Sequence, residues 1–79
     1  MKVQLILYAS LVCHMPRGST GNSCVMEVEE GTTVQDLMNR LALPEQAARV
    51  IFLNGRHAKG EQPVQDGDRI AFFPPVAGG

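Results

Sequence analysis

An α+β fold, a mixed sheet of four to five strands with one main helix packed across it, is what this sequence predicts, on three observations. Two β-type runs open the chain, one at residues 2–12 and one at 23–29, separated by a segment rich in turn formers. One amphipathic stripe follows, with Val34, Leu37, Met38 and Leu41 at i, i+3, i+4 and i+7. Two more strand-like runs, at 50–53 and 69–73, finish the chain, each next to a tight-turn signal.

The first run, KVQLILYASLV, places Val3, Leu5, Leu7, Ala9 and Leu11 on one alternating face and Ile6, Tyr8 and Val12 on the other. A strand apolar on both faces belongs in the interior of its sheet. Residues 16–22 (PRGSTGN) collect Pro, Gly, Ser and Asn and read as an exposed hairpin loop. In the second run Cys24, Met26 and Val28 alternate with Val25, Glu27 and Glu29, the pattern of a half-buried antiparallel strand. Gly31 breaks it, and either Thr32 with Gln35 or Thr33 with Asp36 fits a capping box that satisfies the first free N–H groups of the helix. Pro44 suits the start of a second short helical turn reaching Ala48. Asn54-Gly55 ends the strand at 50–53, with a short extra strand expected around 56–58 and a polar loop over 57–63. Asp66-Gly67-Asp68 turns the chain into 69–73, and Pro74-Pro75 forbids regular continuation. A hairpin, a crossing helix and later strands added to the same sheet describe a β-grasp: residues 1–73 as the domain, 74–79 as a flexible tail.

Composition narrows the function classes. At 79 residues there is no room for a separate cofactor lobe, and seven Lys plus Arg against eight Asp plus Glu leave a net charge of -1, without a basic field for nucleic acid or anionic lipid. Two cysteines are too few for a disulfide framework, and the uncharged stretch 3–15 is shorter than the roughly 20 apolar residues of a membrane span. A cytoplasmic protein is expected.

Familiar catalytic sets are scarce. Cys13 and His14 would point to opposite sides of a strand, a poor geometry for a nucleophile and its base. Cys13, His14, Cys24 and His57 lack the paired spacing of common zinc sites. The plainer reading makes the cysteines small buried hydrophobes and the histidines loop residues. Glu29 and Glu30, adjacent on a strand, face opposite ways, and Gly55, Gly60 and Gly67 do not have phosphate-loop spacing. No metal and no bound cofactor are expected.

The end of the chain is different. After Phe72 and Phe73, the rings of Pro74 and Pro75 stiffen an extended segment, and Val76, Ala77, Gly78 and Gly79 offer little bulk to tie it to a core. Gly78 and Gly79, without Cβ atoms, can thread a narrow channel, and a terminal carboxylate is a chemical handle. Strand alternation puts Phe72 with Ile70 on the core face, so Phe73 is the expected outward anchor for a partner.

The run Asp66-Gly67-Asp68-Arg69-Ile70-Ala71-Phe72-Phe73-Pro74-Pro75-Val76-Ala77-Gly78-Gly79 resembles the C-terminal signature of the molybdopterin synthase small subunits, in the ubiquitin-like sulfur-carrier family that also contains the thiamine-pathway carrier. Weaker likeness runs through Tyr8-Ala9-Ser10-Leu11, Gly31-Thr32-Thr33-Val34 and Asn54-Gly55, while residues 12–15 and 17–22 take no part in it. The resemblance implies that Gly79 carries the reacting carboxylate, with Phe73, Pro74, Pro75, Val76, Ala77 and Gly78 as partner-binding residues. It implies an E1-like adenylating enzyme that spends ATP on the Gly79 carboxylate, a sulfur donor protein that converts it to a thiocarboxylate, and a large synthase subunit that accepts the tail. Such a chain is a sulfur-donating co-substrate with no independent catalytic site. Two alternatives stand beside it: a carrier for thiamine or another sulfur-containing metabolite, and a ubiquitin-like protein modifier.

Overall fold

The computed structural model of the protein describes residues 1–16, 21–44 and 50–74. Its strands are β1 (Lys2–Leu7), β2 (Ser23–Glu27), β3 (Val50–Leu53), β4 (Arg56–His57) and β5 (Arg69–Phe73), and its α-helix is α1 (Val34–Arg40). They form one five-stranded sheet in the order β2-β1-β5-β3-β4. β1 and β5 run parallel, and every other neighbouring pair is antiparallel. This is the β-grasp arrangement.

β1 is shorter than its apolar run. It stops at Leu7, where both neighbours stop too: Leu7 N–H bonds to Asn22 C=O at 2.8 Å at the base of the turn into β2, and β5 ends at Phe73 before a proline that cannot donate. Past Tyr8 the chain takes φ +52° at Ala9 and winds into a 3-10 helix, Ala9–His14. Leu11 still reaches the core, 1% exposed, by this winding rather than by strand alternation. The strand expected over 2–12 is corrected accordingly.

The corrections elsewhere are smaller. β2 ends at Glu27 rather than at 29, although Val28 N–H still bonds to Met1 C=O at 2.7 Å. Glu29 C=O accepts from both the N–H and the hydroxyl of Thr32, closing the turn through Gly31 at φ +91°. Of the two capping pairs the structure uses Thr33 and Asp36: Thr33 Oγ1 accepts from Asp36 N–H at 3.2 Å, and Asp36 Oδ2 accepts from Thr33 N–H at 3.0 Å. The far end of α1 closes as a Schellman motif, with Leu43 N–H on Met38 C=O and Ala42 N–H on Asn39 C=O. That motif needs a left-handed residue, and Ala42 supplies it at φ +55°. The second helical turn expected after Pro44 and part of the loop at 16–22 lie outside the described residues.

The core lies between the sheet and α1. Val34, Leu37, Met38 and Leu41 of the helical stripe are all buried, against Val3, Leu5 and Leu7 of β1, Ile70 and Phe72 of β5, and Ile51 of β3. Each such side chain contributes roughly 1.5–3 kcal/mol on leaving water. Asn54 and Gly55, at φ +53° and +83°, make the two-residue turn that pairs Leu53 with Arg56 and Phe52 with His57. The extra strand is therefore present, two residues long.

Candidate functional site

The candidate site lies at the end of β5. Arg69–Phe73 is a β-strand because its apolar residues sit between β1 on one side and β3 on the other, and its alternation decides what each ring does. Ile70 and Phe72 face the helix and are fully buried. Phe73 faces the opposite side of the sheet and is half-buried.

Phe73 belongs to a row of rings. Tyr8 lies flat on it, with centroids 4.3 Å apart and planes 6° from parallel. Phe52 meets it edge to face at 5.6 Å and 87°, and His57 meets Phe52 in the same way at 5.8 Å and 86°. Aromatic rings favour offset stacks and T-shaped pairs because the negative face of one attracts the positive edge of another. Backbone pairing sets the row. Tyr8 N–H donates to Phe72 C=O at 3.2 Å, which carries β1's path beside the end of β5, while Phe52 lies opposite both Ala71 and His57. Ile6 and Ala71 are register partners on this face, and Arg69 Nε approaches Gln4 Oε1 at 3.4 Å below them. The result is an apolar, aromatic surface beside the end of β5, with polar groups at its margin.

Phe73 and Pro74, both half-buried, are the expected site residues that fall inside the described structure; Pro75, Val76, Ala77, Gly78 and Gly79 lie outside it. Tyr8, Phe52 and His57 were not singled out from the sequence as members of this surface. A two-residue turn at Asn54-Gly55 makes Phe52 and His57 direct partners, so that contact was available from spacing alone; the stack of Tyr8 on Phe73 depends on the parallel pairing of β1 with β5 and was not.

The other candidates separate. Cys13 is exposed on the 3-10 helix, its thiol donating to Ser10 C=O at 3.2 Å, rather than buried at a strand end, and Cys24 is half-buried on β2. His14 belongs to the 3-10 helix and His57 to β4, so neither is a loop residue. Among the described residues, no three of His, Cys, Asp and Glu come together as a metal-holding group.

Several solved structures share the fold, three of them as follows. SAMP1 from Haloferax volcanii is 27% identical over the whole of both chains, with a TM-score of 0.72. A Pyrococcus furiosus protein assigned as subunit 1 of molybdopterin converting factor is 25% identical, covering 95% of this chain and 98% of its own, with a TM-score of 0.68. A chain of the complex of subunits 1 and 2 of the Helicobacter pylori molybdopterin-converting factor is similar in fold, at 21% identity, full coverage of both chains and a TM-score of 0.61. No curated protein matches in sequence. The sequence model of the ThiS family matches residues 16–79, which include β2 to β5, the helix and the diglycine end, and on that match the chain belongs to the ThiS family.

Proposed function

We propose that this protein is a sulfur carrier that acts as the small subunit of a molybdopterin synthase. The observation that carries the reading is the sequence Phe72-Phe73-Pro74-Pro75-Val76-Ala77-Gly78-Gly79 at the end of a central β-grasp strand, with one ring locked in the core and the other in the aromatic surface.

A carboxylate is a poor electrophile. An E1-like adenylating enzyme joins the Gly79 carboxylate oxygen to the α-phosphorus of ATP with loss of pyrophosphate, and sulfur from a donor protein then displaces AMP at the carbonyl carbon to give a thiocarboxylate. The large synthase subunit receives the tail, and the sulfur passes to a pterin precursor to build the dithiolene. Gly78 and Gly79 let the tail through a narrow channel, and Pro74 and Pro75 reduce the entropy lost when it docks. Phe73, with Tyr8 and Phe52 around it, is the anchor that seats the domain on its partners. The acids and bases belong to those partners, and the carrier itself works in the cytoplasm without a bound cofactor.

A second reading is supported by the similarity to SAMP1, since that Haloferax volcanii protein is named small archaeal modifier protein 1. A modifier would use the same activated Gly79 carbonyl but give it to a lysine amine. The two part at the acceptor. Thiocarboxylated protein mixed with a large synthase subunit and the pterin precursor is expected to build the dithiolene and return the carboxylate. Isopeptide adducts through Gly79 in cells, with no transfer to the precursor, would assign the chain to modification instead.

A further inference from the structure

The two edges of the sheet are unequal. β4, at one edge, is two residues long and carries Arg56 and His57, and a short charged edge resists strand addition. β2, at the other, is five residues long without Pro or Gly, and among the described residues nothing pairs with its outer side.

The hydrogen-bond phase says which backbone groups are free there. Met1 and Val28 exchange bonds of 2.9 and 2.7 Å, and Leu7 N–H bonds to Asn22 C=O at 2.8 Å. With Val3 opposite Met26 and Leu5 opposite Cys24, the β1-facing groups of β2 belong to Cys24 and Met26. The N–H and C=O of Ser23, Val25 and Glu27 therefore point away from the sheet. An independent contact agrees, since Arg40 Nη1 reaches Glu27 C=O at 3.4 Å without belonging to β1. The side chains match this picture of an open edge: Val25 is 68% exposed, while Cys24 and Met26 pack against the core yet remain half-exposed.

We propose that β2 is a self-pairing edge, to which a second copy of this chain adds its own β2 antiparallel, about a two-fold axis through Val25. In that register Val25 meets Val25 of the second copy, Ser23 meets Glu27, and Cys24 meets Met26. Three features select a copy of the same chain. The free groups of Ser23, Val25 and Glu27 are symmetric about Val25, so every one finds its counterpart, as an isologous interface requires. No like charges are opposed, because Glu27 faces a serine and has Lys2 across from it on β1. Cys24 and Met26 cover each other on the core side and extend the apolar layer. Arg40 does not block the pairing, since a carbonyl oxygen has a second lone pair. The axis stands perpendicular to the sheet, so the aromatic surface and the end of β5 stay open in both copies. With so few residues engaged, the association is reversible and depends on concentration.

Sedimentation velocity on the intact chain, from micromolar to millimolar, is expected to show the average mass rising toward that of a dimer. Val25→Lys, which opposes two cations at the axis, is expected to raise the dissociation constant at least about tenfold, with the thermal melt unchanged. In a Cys13→Ser, Cys24→Ala background, Val25→Cys is expected to oxidise to a covalent dimer, because hydrogen-bonded antiparallel partners have Cα atoms about 5.5 Å apart, within disulfide range. Asn39→Cys, on the exposed helix face, serves as the control that stays monomeric. A protein that remains monomeric throughout, a Val25→Lys variant that associates like the parent, or equal crosslinking of Val25→Cys and Asn39→Cys would each overturn the proposal.

Discussion

Phe72 and Phe73 are chemically identical neighbours placed in different solvents by strand alternation, and the difference is measurable. Phe72 is wholly buried among Leu5, Leu7 and Leu37, so Phe72→Ala is expected to cost about 3–5 kcal/mol in urea unfolding, the usual range for an emptied aromatic site in a core. Phe73 gives up the Tyr8 stack and the Phe52 edge contact, a loss of about 1–2 kcal/mol. Its larger effect is expected on binding: calorimetric titration of Phe73→Ala with the large synthase subunit should show affinity lower by about 2 kcal/mol or more, roughly thirtyfold. Unfolding losses for Phe73→Ala equal to those for Phe72→Ala, with binding intact, would show that the ring serves the fold and not the partner. Asn54 carries a different kind of weight. It holds φ +53° in the turn, its amide donates to Asp68 Oδ1 and its carbonyl oxygen accepts from Arg69 N–H, both at 2.9 Å. Asn54→Ala removes both bonds and leaves a Cβ residue in the left-handed region without local support, so a loss of about 2 kcal/mol is expected from chemical denaturation.

The elements show where local signals suffice and where they do not. α1, β3 and β5 were legible because each is specified inside its own few residues: a 3.6-residue stripe with a capping box, or an apolar run ended by a turn dipeptide or a proline. The end of β1 was not, since nothing within residues 2–12 announces that β2 and β5 both stop beside Leu7; the limit is set by partners 15 and more residues away, and Ala9 takes a conformation that an alanine does not advertise. The burial of Cys13 was misjudged for the same reason, as it rested on counting alternation past a strand end. The helix C-terminus was also silent, because a Schellman closure is ordinarily announced by glycine and here the left-handed position is Ala42. That gives a test of the element itself: Ala42→Gly is expected to stabilise the protein by about 0.5–1 kcal/mol, relief of left-handed strain exceeding the added chain entropy. A melt unchanged or lowered by this substitution would show that the motif does not limit the helix end.

At the scale of the whole molecule, the proposed function requires the folded domain and the reacting end to be separable parts. Among the described residues the last core side chain is Phe72 and the last strand ends at Phe73, and the groups proposed to react come later in the sequence. The domain presents an aromatic face beside the end of β5, while the proposed chemistry needs only a terminal carbonyl carbon that other proteins can reach. Deleting Gly79, or adding residues after it, is therefore expected to abolish sulfur transfer while leaving the thermal melt within about a degree, given the small share of stability that an end of this composition contributes. Unfolding on that truncation would mean the terminus belongs to the core. The most direct test of the central claim is mass spectrometry of the intact protein after incubation with ATP, an adenylating enzyme and a sulfur donor. The account predicts the mass gain of one sulfur replacing one oxygen, mapped to Gly79 and absent from the Gly79 deletion. An unchanged terminus under conditions in which a known carrier of the family is converted would contradict it.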